Sequence, residues 1–581
     1  MEDLFSLLAS GATFSKKKNA ESMRIFRGSP CDSTESMERG EGEKNALMIT
    51  SESAEDEINA FRNRLRIKVH GQDISKPSAT FYDMRIDKGI SELIFRSCEE
   101  SEWKEPTPIQ MQSIPTMIDN RDILAGAPTG SGKTAAYLIP ILSRISEMSR
   151  KSSSGGDDKS SGDSTKKKKK KVRGHGNGIS ALVLVPTREL AEQVHREAVR
   201  LVNGTKKVKM TVLTKQVVSN ALERQDKTLL NEVDLIISTP MRLLSLVRNK
   251  LVNLSTLQIA VLDEADKLLE ISHYHNEMQE GEDSKEDAGE SDVEDGSNSS
   301  HVGKKSSFLV QVDEIFGECD PDFLQRGLFS ATVGPLVQDL ADAFLRNPVR
   351  IIVGVENAGA TTIEQKLTFV TNEEGKLLAM RQLVQEGLKP PVLVFLQSKE
   401  RSKALYKELL YDGINVDVIN AERSEQQREA SITSFRKGET WVLICTDLMA
   451  RGVDFKGVQM VINYDLPQSA VSYIHRIGRT GRAGKKGRAV TFFTENDIPN
   501  LRSIANVMKL SGCDVPDWML SIKALNTRQK RQLKLSLPQR KEISTMSKYD
   551  KKKIIKRRDM IDGSKRKAKK FKAMADTDDT A

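Results

Sequence analysis

Lys133 and Thr134 close the stretch ILAGAPTGSGKT at residues 123–134, in which apolar residues lead into a loop containing Gly130 and Gly132. An ammonium and a hydroxyl at the end of such a loop suit phosphate chemistry. The glycines let the backbone approach a polyanion, so that successive N–H groups and a helix N-terminus face it. Lys133 is then placed to reach the β- and γ-phosphates and Thr134 to bind Mg²⁺, with Ala127, Thr129 and Ser131 completing the loop. Gly usually opens this loop, and Ala127 stands in its place. A second candidate is VLDEAD at 261–266, where Asp263 and Glu264 follow an apolar run. Open α/β sheets place their ligands at such strand ends. Phosphoryl transfer needs a carboxylate for Mg²⁺, the expected part of Asp263 through water, and a polar group that orients the attacking water, the expected part of Glu264. The third is HRIGRTGR at 475–482, where Arg476, Arg479 and Arg482 recur every three residues. One helical turn would gather them on a common face. Set against a transferring phosphoryl group, such arginines are worth about 10³- to 10⁵-fold in rate.

The elements that must position these groups alternate between strand and helix. The phosphate loop is followed by a helical pattern over 134–145. ALVLV at 181–185 reads as a strand and Arg188–Leu201 as a helix. VDLII at 233–237, LQIAVLDEAD at 257–266 and RGLFSATVG at 326–334 read as further strands, with a helix at 241–247. Short apolar strands separated by helices predict a parallel sheet covered on both faces. Small residues in VGVENAGATT put a domain boundary at 354–362. A second unit of the same kind then runs over 363–525, with strands at 392–396, 416–420, 441–445, 460–464 and 488–493 and a helix at 399–411. Ahead of the loop, residues 83–103 read as one amphipathic helix ending at Trp103, followed by PTPIQ with Gln110. Arginines in the second unit can act on a loop in the first only if the two domains close.

Composition narrows the class. The chain has 581 residues, 38% apolar and 29% charged, which fits two or three domains with unstructured segments. No apolar run is long enough to span a membrane, and the N-terminus lacks the pattern of a secretory signal. Five scattered cysteines without a CxxC pair predict reduced thiols, neither a zinc site nor a disulfide framework. Residues 1–60 read as disordered. Inserts at about 150–178, with the lysine run 166–171, and at 276–300, with ten acids and one lysine, read as solvated loops inside the first domain, which spans 61–353. The net charge is +9, yet the segment 526–573 alone holds 19 Lys or Arg against 4 Asp or Glu. The basic excess therefore belongs to a C-terminal tail at 526–581, which reads as an arm for nucleic acid or nuclear import.

Taken together, PTPIQ, APTGSGKT, PTRELA, TPMRL, DEAD, SAT, VLVFLQS, TDLMARGVD and HRIGRTGR follow in the order of the DEAD-box RNA helicases, which the chain resembles over about residues 81–515. The resemblance implies two tandem RecA-like α/β domains of the P-loop NTPase type, an ATP hydrolase with ATP and Mg²⁺ as cofactors, and RNA as the partner. It implies that Gln110 reads the adenine edge and Trp103 stacks on the ring, although a Trp before a Pro-rich turn is also ordinary core. Asp454 would hold the ribose and, with Arg479 and Arg482, complete the ATP site. Ser330 and Thr332 would link ATP state to RNA, and His475 would bridge to the first domain unless it is simply a buried histidine. Pro186, Thr187, Arg188, Thr239 and Arg242 in the first domain, and Arg428 and Thr446 in the second, would line an RNA path that reads sugar and phosphate rather than sequence. Three positions depart from the family along that path: TVLTKQVVSNAL has no Gly-Gly pair, Met241 replaces a common Gly, and Glu425 a common Gln. The second-domain sequence and the N-terminal LFSLLASGATF are most similar to the Rok-type helicases of small ribosomal subunit assembly. That similarity implies a nuclear and nucleolar protein acting on pre-ribosomal RNA or snoRNA duplexes beside pre-ribosomal proteins, and the chain is expected to be monomeric.

Overall fold

The computed structural model describes residues 55–100, 103, 105–153, 178–203, 208–225, 233–269, 308–320, 323–420, 422–447, 455, 457–482, 485–523, 526, 540, 543 and a few positions within 553–564. The lysine run, the acidic insert and residues 1–54 lie outside them. The chain divides into two compact units, Met1–Asn59 and Ala60–Ala581. In the first, residues 55–59 are helical rather than disordered.

Both sheets belong to the second unit. One contains β1 (Ile67–His70), β2 (Ile123–Gly126), β3 (Ala181–Leu184), β4 (Met210–Val212), β5 (Leu235–Ser238), β6 (Ile259–Asp263), β7 (Gln325–Ser330) and β8 (Val349–Val353), in the order β1-β8-β2-β7-β6-β3-β5-β4. The other contains β9 (Ile363–Phe369), β10 (Val392–Leu396), β11 (Val416–Ile419), β12 (Val442–Thr446), β13 (Met460–Asn463) and β14 (Gly487–Phe493), in the order β11-β12-β10-β13-β14-β9. The central strands β2, β3, β5, β6, β10 and β13 are buried along their whole length. Helices pack on both faces, which is why these strands read as continuous apolar runs. Each buried Leu, Ile or Val contributes about 1.5–3 kcal/mol relative to exposure.

Four features depart from the sequence reading. First, the sheet of the first domain is not wholly parallel, because β1 pairs antiparallel with β8 as an edge strand. Its four residues sit beyond the charged run RNRLR, too short to announce themselves by pattern. Second, the single helix expected over 83–103 is two, Phe81–Lys88 and Glu92–Glu100, because Gly89 takes a left-handed conformation at φ 73° and caps the first. Third, the helix after the phosphate loop runs over Lys133–Ser153 and so extends into the region expected as an insert. Fourth, the C-terminal tail is not entirely solvent-borne. Ile543 is 5% exposed and belongs to the apolar cluster of Val392, Val394 and Tyr464 in the second domain.

The segment between the domains is pinned at both ends. Asn357 Oδ1 accepts a hydrogen bond from Val333 N at 3.1 Å on the first-domain side. Gly359 N donates to Ser511 Oγ at 2.9 Å on the second-domain side.

Candidate active site and nucleic-acid interface

The two domains meet across a cavity of about 800 Å³, lined from the first by Trp103, Gln110, Lys133, Thr134, Asp263 and Glu264 and from the second by Arg479 and Arg482. The phosphate loop and the carboxylate pair are built at strand ends, whereas Arg479 and Arg482 follow the end of the helix Ala470–Ile477. The phosphate loop joins β2 to the Lys133–Ser153 helix, with Gly130 at φ 79° and Gly132 at φ 91°. A Cβ on Gly132 would fall 2.6 Å from Gln110 Nε2, so the glutamine side chain braces the loop directly. Gln110 Nε2 donates to the Gly132 carbonyl at 3.1 Å, while its Oε1 accepts from Thr107 N at 2.9 Å. One amide hydrogen and one lone pair remain for a base edge. Trp103 does two jobs at once. It packs against the core, its ring centroid 6.4 Å from that of Phe81, and it lines the cavity.

Lys133 Nζ donates to the carbonyls of Ala127 and, at 2.9 Å, Pro128. Ser131 is part of the same loop, and Thr129 lies at the domain junction described below. Burial pulls the Lys133 pKa down, and the charges of Asp263, Asp266 and Glu264 oppose the shift.

Asp263 ends β6 and is fully enclosed. Its Oδ2 accepts from Tyr137 Oη at 2.9 Å and its Oδ1 from Glu264 N at 2.8 Å. Burial and then the charge of Glu264 push its pKa up to about 6. Glu264 adopts φ 50°, a left-handed conformation unusual for a residue with a side chain. Burial alone would raise its pKa too, but Lys267, His475 and Arg479 override that and hold it at about 2. Lys267 Nζ lies 3.0 Å from Glu264 Oε2. Two adjacent carboxylates are thus driven apart by their surroundings, and Glu264 stays ionised.

Asp266 is the junction between SAT and the second domain. Its Oδ2 accepts from Thr332 N at 3.0 Å and Thr332 Oγ1 at 2.7 Å, and lies 3.0 Å from His475 Nε2. Ser330, at the end of β7, donates its hydroxyl to the Thr332 carbonyl at 2.7 Å. His475 therefore makes the bridge expected of it while also being a buried histidine, so its two readings coincide. Burial and the charge of Lys267 lower its pKa against the pull of Asp266.

The three arginines do not share a face. The helix Ala470–Ile477 stops at Gly478, so Arg476 points inward and grips Asp447 with two hydrogen bonds of 2.5 and 2.6 Å, while Arg479 and Arg482 reach the cavity. Gly478 itself abuts the phosphate loop: a Cβ there would lie 2.9 Å from Thr129 Cβ and 1.6 Å from its Oγ1. Arg482 packs over Gly130 and donates from Nε to the Gly478 carbonyl at 3.0 Å. Asp454 lies outside the described residues.

The residues expected on RNA fall at the C-terminal ends of neighbouring strands. Pro186, Thr187 and Arg188 follow β3, Thr187 capping its helix by accepting from Leu190 N at 3.3 Å. Thr239 follows β5, which pairs with β3, and Arg242 Nη1 donates to the Leu213 carbonyl at 3.0 Å. Thr446 ends β12. Where the family has Gly-Gly, Thr214 caps a helix instead, accepting from Val217 N, and Met241 is half exposed. Arg428 reaches across the domains, its Nη1 3.2 Å from Glu189 Oε1. Exposed pairs of this kind contribute about 0–1 kcal/mol, so a phosphate can compete for the arginine. Glu189→Gln is expected to change the RNA concentration for half-maximal stimulation less than about threefold, whereas Arg428→Ala should raise it clearly more. Equal effects of the two in an RNA titration would reduce Arg428 to a bridge between domains.

Sequence reasoning missed Tyr137, Lys267, Gly478 and Glu189. Tyr137 reads as one more apolar position on a helix, and only the fold shows its hydroxyl on Asp263.

A phosphate loop, a strand-end carboxylate pair and arginines delivered from a second α/β domain define a two-domain nucleotide hydrolase. The DEAD/DEAH box helicase family profile matches residues 107–286 and that of the helicase conserved C-terminal domain residues 375–484. ATP-dependent RNA helicase CHR1 of Candida albicans is 40% identical over 549 residues, covering 94% of this chain and 85% of the relative. Probable ATP-dependent RNA helicase DDX52 of Rattus norvegicus is 40% identical, covering 88% and 76% respectively, and ATP-dependent RNA helicase ROK1 of Scheffersomyces stipitis is 41% identical, covering 90% and 84%. Among solved structures, S. cerevisiae Dbp5 bound to RNA and ADP BeF3 superposes with a TM-score of 0.56 at 25% identity, covering 75% of this chain and 97% of that one. The chain belongs to the DEAD-box family of ATP-dependent RNA helicases, beside the ROK1 and DDX52 proteins, and like them is an ATP hydrolase with an RNA partner.

Proposed function

We propose that this chain is a monomeric, RNA-stimulated and Mg²⁺-dependent ATPase that locally opens pre-ribosomal RNA duplexes or remodels RNA–protein contacts during small-subunit assembly in the nucleolus. The observation that carries the catalytic part is the cavity whose wall joins Lys133, Asp263 and Glu264 to Arg479 and Arg482. The donor set fits Mg²⁺: a buried carboxylate on Asp263 and the Thr134 hydroxyl are hard oxygen ligands on one cavity wall. The metal would neutralise charge on the phosphates. Lys133 binds the phosphate oxygens, Glu264 orients and deprotonates the attacking water, and Arg479 and Arg482 meet the charge that develops on the transferred group. Because the last two belong to the other domain, hydrolysis is tied to closure, and closure aligns the RNA-lining strand ends of both domains. Their contacts fall on backbone groups, so strand opening is local and independent of sequence.

The process and the compartment are supported by the Rok-type sequence and by the basic C-terminal tail. ATP hydrolysis by the full chain is expected to rise with single-stranded RNA and much less with DNA of the same sequence, and to fall on chelation of Mg²⁺. Equal stimulation by both would sink the RNA assignment. ATP-dependent RNA binding without turnover would make the chain a clamp. For the process, crosslinked RNA recovered from cells should be enriched in pre-ribosomal RNA, and an even spread over messenger RNA would overturn it.

A further inference from the structure

The second domain holds a set of buried charges that the ATP site does not use. Asp465, fully enclosed just after β13, accepts from Arg401 Nε at 2.9 Å and Nη2 at 2.7 Å, from Lys376 Nζ at 3.3 Å and from Gln397 N at 3.0 Å. Into this cluster comes one residue from the C-terminal segment, Arg540, whose side chain is 4% exposed. Its Nη2 donates to Asp497 Oδ1 at 2.6 Å, its Nε donates to Gln397 Oε1 at 2.8 Å, and its Nε lies 3.7 Å from Asp465 Oδ1. Ile543, three residues on, fills the adjoining apolar core. A buried guanidinium persists only where its partners compensate the loss of water, and here they do. An arm held solely for nucleic acid would keep its arginines in solvent.

The partners of Arg540 lead to both functional edges of the domain. Gln397 directly follows Leu396, which pairs in register with Thr446. The main-chain carbonyl of Asp465 accepts from Arg476 Nη1 at 2.8 Å. Arg476 in turn grips Asp447, next to Thr446, and lies two residues before Gly478 and three before Arg479. One cluster thus fixes the end of β10, the end of β12 and the segment that carries the arginines.

We propose that Arg540 is a positioning residue for RNA-stimulated ATP hydrolysis: from the C-terminal segment it locks Gln397 and Asp465, and through them Arg476, so that Arg479 and Arg482 are presented at the height at which closure needs them. The assignment rests on the ATPase reading of the site, and the wild-type chain measured alongside separates failure of that reading from failure of this one. Displacement of a catalytic group by about 1 Å costs up to about 10²-fold, so Arg540→Ala in the full chain should lower kcat at saturating RNA by roughly tenfold with the KM for ATP little changed. The measurement is made at a temperature where its unfolding curve is still flat. Arg540→Lys keeps the charge but cannot span Gln397 and Asp497 together. It should retain most of the melting temperature and show an intermediate kcat. Hydrogen exchange should rise in the peptide covering 465–477 in both variants. Wild-type kcat with unchanged exchange there, in folded Arg540→Ala or, if that variant does not fold, in Arg540→Lys, would overturn the proposal.

Discussion

Glu264→Gln is expected to lower kcat for RNA-stimulated ATP hydrolysis by about 10²- to 10⁴-fold, the usual worth of a positioned general base, while leaving ATP binding nearly intact. The reason is local. Lys267 and Arg479 hold the Glu264 carboxylate ionised, with its pKa at about 2, so at neutral pH it can accept a proton from a water held on the cavity wall. Glutamine has the same shape and can still accept from Lys267 Nζ, 3.0 Å away in the present geometry, but cannot take the proton. The strained backbone at φ 50° should persist, because it is set by the turn out of β6 rather than by the charge. Steady-state hydrolysis at saturating RNA, with nucleotide affinity measured separately on the same preparation, checks the expectation. Turnover within threefold of wild type would remove Glu264 from the reaction.

Gly478→Ala is expected to have an effect of similar size by a different route. The added Cβ would sit 1.6 Å from Thr129 Oγ1, which can rotate away, but also 2.9 Å from Thr129 Cβ and 3.0 Å from the Ile474 carbonyl, which cannot. The first two atoms belong to the phosphate loop of the other domain, so the cheapest relief is for the domains to part by about an ångström. Arg479 and Arg482 travel with Gly478. A shift of about 1 Å in catalytic groups costs up to about 10²-fold. The two short contacts with Thr129 lie at the domain junction and only the 3.0 Å contact with the Ile474 carbonyl lies inside the second domain, so the melting temperature should fall by only a little. A variant with nearly normal melting and depressed kcat fits this account; one with normal kcat would show that closure tolerates the methyl group.

Much of the catalytic layout was legible because its signals are local. A strand, a glycine-bearing loop and a helix beginning at Lys133 must lie close together whatever the rest of the chain does. Asp263 and Glu264 must end a strand because the residues before them are too apolar to be anywhere but inside. The starts of the Arg188–Leu201 and Lys399–Tyr411 helices follow from caps at Thr187 and Ser398 that the sequence displays. Legibility failed where one residue decides the backbone path. Gly89 splits a helix whose apolar spacing continues on both sides, and Gly478 ends a helix so that Arg476 turns into the domain and away from its neighbours.

The sequence by itself determined two α/β units, a phosphate loop, a carboxylate pair at a strand end and an arginine-bearing segment. All of these follow from periodicity and neighbouring residue types. Only the tertiary structure decided which polar groups meet: Tyr137 with Asp263, Asp266 with both Thr332 and His475, Glu189 with Arg428, and Arg540 with Asp497 and Gln397. The partners in these pairs stand between 43 and 239 residues apart. No local pattern encodes such pairings, because they arise when packing of the two sheets and closure of the two domains bring buried polar groups to the partners that best replace water.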